Sequence, residues 1–132
     1  MELAIDNYCF ACGKDNPIGL HMHFEYEQER AIGSFTPRNE HQGFAGIVHG
    51  GILSTVLDEA MAHAIIAAGF KAVTARMEIQ FKKPTSVGTP VVVTGQVVAR
   101  KGKILQVCAE INQNDMVTVK ANASFYIMAA EN

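Results

Sequence analysis

Tryptophan is absent from this chain of 132 residues, proline occurs only four times and cysteine only three times. Three cysteines cannot all pair within one chain, and without four or six there is no disulfide framework. That agrees with a reducing compartment and a cytoplasmic location. Neither sign of charge dominates: 11 basic residues stand against 13 acidic ones, a formal charge of -2. Nucleic acid is therefore not an expected partner, since phosphate recognition needs a strong positive field. Long apolar stretches are broken by glycine, charge or proline short of the roughly 20 residues a membrane span requires, so no membrane partner is expected either. Met1 to Asn7 carries Glu2 and Asp6 but no basic residue, unlike a secretory leader. What the chain does have is apolar mass, 48% of its residues, enough for one small core. One domain over residues 1–132 is the expectation, with 7–19 an ordered, turn-rich lead-in around Asp15-Asn16-Pro17.

Periodicity supplies the element order. Leu20, Met22, Phe24 and Tyr26 alternate with His21, His23, Glu25 and Glu27, the signature of a half-buried strand. A second strand is expected over Ala31 to Phe35, followed by a loop to Gly50. From Gly51 the spacing turns helical through Ile52, Val56, Ala60 and Ala64, and the run stops at Gly69. So few polar positions predict a helix wrapped by protein on most of its surface. Strands then follow at 73–81, 91–98, 105–111 and 117–127, the last three joined by short turns as an antiparallel meander. The expected fold is α+β: a long central helix wrapped by a curled antiparallel sheet of about six strands, in the order β-β-α-β-β-β-β.

The densest polar constellation runs from His41 to Glu59. Gly50 and Gly51 let backbone approach a ligand closely, and the first amides of a helix lack intrahelical acceptors. Such amides, aided by the helix dipole, stabilise an oxyanion. Plain turn geometry explains the glycines equally well. Asp58 follows Gly50 by eight residues, roughly 12 Å along the axis, so it cannot meet its own helix's first amides. A carboxylate from a second chain can, if two helices lie antiparallel across a two-fold axis. The alternative for Asp58 is a buried salt-bridge or capping partner. Cys9-x-x-Cys12 has the spacing of half a zinc site that His21 and His23 would complete. Those two histidines share the outward phase of one strand, however, and no second C-x-x-C exists. The pair reads as a packed turn, and no metal is expected. His63 reads as a hydrogen-bonded packing residue.

The run His41-Gln42-Gly43-Phe44-Ala45-Gly46-Ile47-Val48-His49-Gly50-Gly51, followed by Asp58, resembles the hotdog-fold acyl-CoA thioesterases. The nearest branch holds the small phenylacetate-pathway enzymes with their H-G-G-x6-D signature. Cys9-Phe10-x-Cys12-Gly13, Asn16-Pro17-x-Gly19-Leu20, Thr74-Ala75 and Phe81-Lys82-Lys83-Pro84 extend the likeness over about residues 9–127. The resemblance implies hydrolysis of an acyl-CoA thioester to free acid and coenzyme A, with no cofactor beyond the coenzyme A of the substrate. It implies that Asp58 attacks the thioester or activates water, and that the Gly50 amide polarises the carbonyl bound to the other subunit. His49 is then the loop-shaping histidine and Thr74 a hydroxyl that positions water. The family often carries Asn or Gln seven residues before the oxyanion glycine. Gly43 stands there, and the neighbouring Gln42 is expected to substitute.

Two other classes stay in view: a hotdog dehydratase or hydratase using Glu59 with His41, and a non-catalytic acyl-CoA-binding module. The shared site implies a homodimer, with a homotetramer open as the larger assembly. Phe44, Ile47, Leu53, Leu57, Met61 and Ile65 are available to line the acyl pocket, with Gly51 beside it, and favour an uncharged acyl group. Between Lys71 and Lys103 seven basic residues face one acid, Glu78. Lys82, Lys83, Arg100 and Lys101 among them are the expected contacts for the coenzyme A phosphates.

Overall fold

The computed structural model describes residues 4–130. Met1 to Leu3, on which part of the leader reading rests, and the last two positions of the 1–132 domain lie outside the described residues. Six strands and one long helix appear in the order β1 (His23–Glu27), β2 (Arg30–Phe35), α1 (Gly50–Ala67), β3 (Phe70–Phe81), β4 (Val91–Lys101), β5 (Ile104–Gln113) and β6 (Met116–Ala130). All pairings are antiparallel, and the strands lie side by side as β1-β2-β4-β5-β6-β3.

The sheet does not curl round the helix. It is open, with β1 at one edge and β3 at the other, which corrects the wrapped, curled arrangement expected from the sequence. The physical reason is size. A helix with its side chains is about 10–12 Å across, whereas even an eight-stranded barrel leaves room only for side chains. Six strands cannot enclose a helix, so α1 lies on one face. Leu53, Val56, Leu57, Ala60, Met61, Ala64 and Ile65, spaced at three and four, are buried against the strands. Each large one contributes about 1.5–3 kcal/mol of transfer free energy. On the other side of the helix Ser54, Thr55, Asp58, Glu59, Ala62 and His63 are half-buried. By length and composition alone α1, 18 residues with mean hydropathy 1.2, would suffice to cross a membrane. Here its most apolar stripe is spent on the sheet.

Helix and sheet meet most closely at Gly95 of β4. A Cβ at that position would overlap the Ala60 carbonyl, so both residues must be small. The first strand is shorter than its alternation suggests. His21 takes a left-handed φ of 53°, and its Nε2 lies 2.7 Å from the Asn16 carbonyl, so pairing starts only at His23. Leu20 and Met22 still reach the core, from a segment bound to the lead-in by Leu20 N–H to Phe10 O at 2.8 Å and Met22 N–H to Ala11 O at 2.9 Å.

Candidate active site

The loop before α1 is fixed from both sides. His41 is buried, its Nδ1 accepts the Arg38 N–H at 2.9 Å, and its carbonyl accepts the His49 N–H at 2.8 Å. Burial, with help from the Arg38 charge, holds the His41 imidazole below its ordinary pKa and therefore neutral. Val48 N–H donates to the Thr85 carbonyl at 2.8 Å, and Thr85 is itself buried and donates to Thr118 Oγ1 at 2.9 Å. The Gln113 side chain clamps the same segment, accepting from Ser86 N–H at 2.8 Å and donating to the Ser86 and Thr89 carbonyls. Thr85, Thr118 and Gln113 carry no motif, and only the fold reveals their part in holding this loop.

His49 is the helix N-cap. Its backbone is extended, and its Nδ1 accepts the Gly51 N–H at 2.8 Å, which satisfies one of the orphan donors of the first turn. A Cβ on Gly51 would press on that imidazole at 3.1 Å, so glycine is needed for the cap to close. Gly50, the first helical residue, is exposed, and its amide has no intrahelical acceptor. A cavity of about 460 Å³ opens beside it, bounded by Phe44, Ile47, Leu53, Phe81, Lys82 and Lys83. Phe44, 86% exposed, and Phe81, 54% exposed, add apolar surface to this rim. Gln42 is exposed and its Oε1 accepts the Gly46 N–H at 3.1 Å, bracing the turn of the loop.

Asp58 lies on the half-buried side of α1, where its Oδ1 accepts the Thr74 hydroxyl proton at 2.7 Å. Simple alternation puts Thr74 in the same phase as Arg76, facing away from the helix. A register shift between Thr74 and Arg76 reverses this. Thr74 pairs with Phe125 and Met77 with Ala123, so Ala75 is the extra residue of a bulge and Thr74 joins Met77 on the helix face.

Glu59, the next residue round the helix, points elsewhere. Its Oε2 lies 3.0 Å from His63 Nε2 and accepts from Cys9 Sγ at 3.5 Å. Tyr26 Oη sits 2.6 Å from His63 Nδ1, and the Phe24 ring stacks on the imidazole at 4.3 Å between centroids. Burial raises the Glu59 pKa, but the hydrogen bonds from His63 and Cys12 outweigh it and leave the carboxyl below its ordinary value. Burial and the Glu59 carboxylate together push the Cys12 thiol far up. Within one chain, then, His41 braces the loop before α1 while Glu59 faces the lead-in.

The candidate residues thus fall into separate places. His49, Gly50, Gly51, Gln42, Phe44, Lys82 and Lys83 gather at the helix start, while Asp58 and Thr74 meet two turns further on. Leu57 and Met61 are fully buried between helix and sheet, as is Ile65, so they face strands and not the cavity beside Gly50. Arg100 and Lys101 lie at the opposite end of the helix. The Arg100 guanidinium sits 5.1 Å from the centroid of Phe70, just beyond the helix C-terminus, and its Nε donates to the Gly102 carbonyl.

Residues 45–120 match the model of the family described as "Thioesterase superfamily". The chain belongs to that superfamily. Among curated proteins it is similar to acyl-coenzyme A thioesterase THEM4 of Mus musculus, 31% identical over 103 residues, which cover 78% of this chain and 44% of that protein. The chain spans less than half the length of the curated relatives it matches. Two solved structures share its hotdog architecture. One is a Streptococcus mutans protein bound to acetyl-CoA, with TM-score 0.80, 19% identity and coverage of 84% of this chain and 91% of that one. The other is the PaaI protein from the phenylacetic acid degradation operon of E. coli, with TM-score 0.79, 20% identity and coverage of 85% and 83%.

Proposed function

We propose that this thioesterase-superfamily chain hydrolyses an acyl-CoA thioester to the free acid and coenzyme A, in a site shared by two copies. The observation that carries the reading is the Asp58–Thr74 pair on the open side of α1, two helical turns from an exposed helix-initiating amide. At roughly 12 Å along one axis the two groups cannot hold one carbonyl between them. Across a two-fold axis with antiparallel helices, Asp58 of one chain faces Gly50 of the other. The twelve-residue edge strand β3 is the natural seam, since no other described strand lies on its outer side and Thr74 lies on it. We therefore read the protein as a homodimer joined sheet to sheet, with tetramer formation a further step through other surfaces.

In this arrangement the Gly50 N–H, at the positive end of the helix dipole, polarises the thioester carbonyl and takes up the developing oxyanion. Thr74 holds one oxygen of Asp58 and leaves the other free. That oxygen removes a proton from water as hydroxide adds to the carbonyl carbon. Collapse of the tetrahedral intermediate breaks the C–S bond, and the proton returns to the departing thiolate. His49 fixes the first turn by its cap, and Gln42 and Gly51 maintain the loop that presents Gly50. Phe44, Ile47, Leu53 and Phe81 suit an uncharged acyl or aryl-acyl group. Lys82 and Lys83 at the same rim are placed for the phosphates of coenzyme A, and Arg100 and Lys101 reach them only from a neighbouring chain. Three free thiols fit a cytoplasmic setting.

Release of free thiol from a panel of acyl-CoAs, followed for the parent protein, Asp58→Asn and Glu59→Gln, tests this reading. Loss of turnover with Asp58→Asn and its survival with Glu59→Gln supports it. Binding of acyl-CoA without turnover by the parent protein would mean a binding module, and loss with Glu59→Gln alone would mean dehydratase-like chemistry. A best substrate of the malonyl or succinyl type would contradict the uncharged acyl pocket.

A further inference from the structure

A second constellation lies on α1 outside the thioester site. Cys9 and Cys12, adjacent in a turn of the lead-in, arrive at Glu59 from fifty residues away. Their two sulfurs and a Glu59 carboxylate oxygen all lie within 4.8 Å of one another. The turn is firmly built: Gly13 N–H donates to the Cys9 carbonyl at 2.8 Å, and a Cβ on Gly13 would collide with the Cys9 backbone. The sequence reads this pair as a packed turn without metal, and His21 and His23, set aside there as ligands, do not join the cluster. His21 is turned to the Asn16 carbonyl, and His23 is exposed on β1.

We infer that Cys9, Cys12 and Glu59 form a zinc site that fastens the lead-in to the middle of α1. Two thiolates and one carboxylate are a borderline-soft donor set of the kind zinc takes. Zn–S and Zn–O lengths of about 2.3 and 2.0 Å at a tetrahedral angle put sulfur and oxygen about 3.5 Å apart. Cys9 Sγ and Glu59 Oε2 stand at that separation, 3.5 Å. His63 is the outer-shell partner. Its Nε2 orients the carboxylate at 3.0 Å, and its ring is held by the Tyr26 hydroxyl and the face of Phe24. The fourth position opens on a cavity of about 450 Å³ between the lead-in and α1, bounded by Tyr8, Ala62 and Ile66, with room for water.

Binding releases two protons, one from each thiol, and leaves a site of net charge -1 formed by Zn²⁺, two thiolates and a carboxylate. Uptake is therefore favoured as pH rises. A redox pair is the competing use of C-x-x-C. That use would leave a Cys9–Cys12 disulfide in the oxidised protein and gives Glu59 and His63 no part to play.

The full chain is purified, its zinc measured by elemental analysis, and its zinc then exchanged for Co²⁺. About one zinc per chain is expected, with a thiolate-to-cobalt charge-transfer band that chelator abolishes. Before chelation Cys9 and Cys12 should be closed to a thiol reagent, leaving only the half-buried Cys108 open to it, and after chelation they should react as well. Cys12→Ser should lose the band, and His63→Gln should weaken zinc binding about tenfold to a hundredfold while keeping the ligands. Zinc far below one per chain with no cobalt–thiolate band overturns the inference, and so does a mass lower by two hydrogen atoms from a Cys9–Cys12 disulfide. Metal content and spectrum are read on the parent protein, so the test stands even where a variant fails to fold. Both readouts are also independent of thioester turnover, so the zinc site and the proposed activity fail separately.

Discussion

Thr74 donates its hydroxyl proton to Asp58 across 2.7 Å, joining edge strand β3 to the middle of the helix. One oxygen of the carboxylate is thereby held, and in the proposed mechanism the other takes the proton from water. A hydrogen bond to a charged group contributes about 1.5–3 kcal/mol. Thr74→Val should lower kcat about tenfold to a hundredfold, and Thr74→Ser should restore most of it. Equal rates for the valine and serine variants would remove Thr74 from the site.

Lys82 and Lys83 flank the cavity beside Gly50 as exposed cations. Their attraction for phosphate is the same in ground and transition states, so replacing both by alanine should raise KM for acyl-CoA several-fold with kcat nearly unchanged. The effect should shrink as salt rises. Arg100→Ala with Lys101→Ala should do the same only if a neighbouring chain carries that hairpin to the slot. Unchanged KM at low ionic strength in both double variants would leave these residues as surface charge.

Gly95 tests how the helix is seated. A methyl group there meets the Ala60 carbonyl, which is backbone and cannot swing aside. Gly95→Ala should therefore destabilise the fold by about 1–3 kcal/mol in urea unfolding, although alanine is the better β-former of the two. A neutral result would mean that α1 rides far enough from β4 to admit a methyl group.

The His41 imidazole is held below its ordinary value of 6.5 by burial and by the nearby Arg38 charge, which Glu40 only partly offsets. Above pH 6.5 it is neutral in folded and unfolded chains alike, and its contribution is complete. As pH falls below 6.5 the unfolded chain takes up the proton first, so stability drops by up to about 1.4 kcal/mol per pH unit until the folded imidazole also titrates. His41→Asn, whose amide oxygen can replace Nδ1 as acceptor, should flatten this part of the pH–stability profile. An unchanged slope would assign the acid sensitivity to other groups.

Local signals are legible in the sequence and non-local ones are not. The helix start at His49-Gly50-Gly51 and the carboxylate at Asp58 lie within one short stretch, where capping and spacing are read directly. Resemblance points to Thr74, but its aim at Asp58 depends on the bulge at Ala75, and strict alternation turns it the wrong way. Leu57 and Met61 look available for the acyl group because a helical stripe does not say which stripe the sheet takes. The curled sheet is an over-reading, because a strand count carries no closure condition. Cys9 and Cys12 meet Glu59 across fifty residues, a contact no local pattern announces.

In the proposed mechanism one chain supplies Asp58 and another the Gly50 amide, and subunit mixing separates the two contributions. Gly50 is the first helical residue, preceded by an extended His49, so Gly50→Pro removes the N–H at a position where proline suits a helix. Asp58→Asn and Gly50→Pro homodimers should each be inactive. Unfolded together in equal amounts and refolded, half the dimers are mixed, and each mixed dimer holds one site with both groups intact. Activity should return to about a quarter of the parent value for a two-fold dimer. A mixed sample that forms heterodimers and stays as inactive as its parents would place both groups within one chain and contradict the shared site.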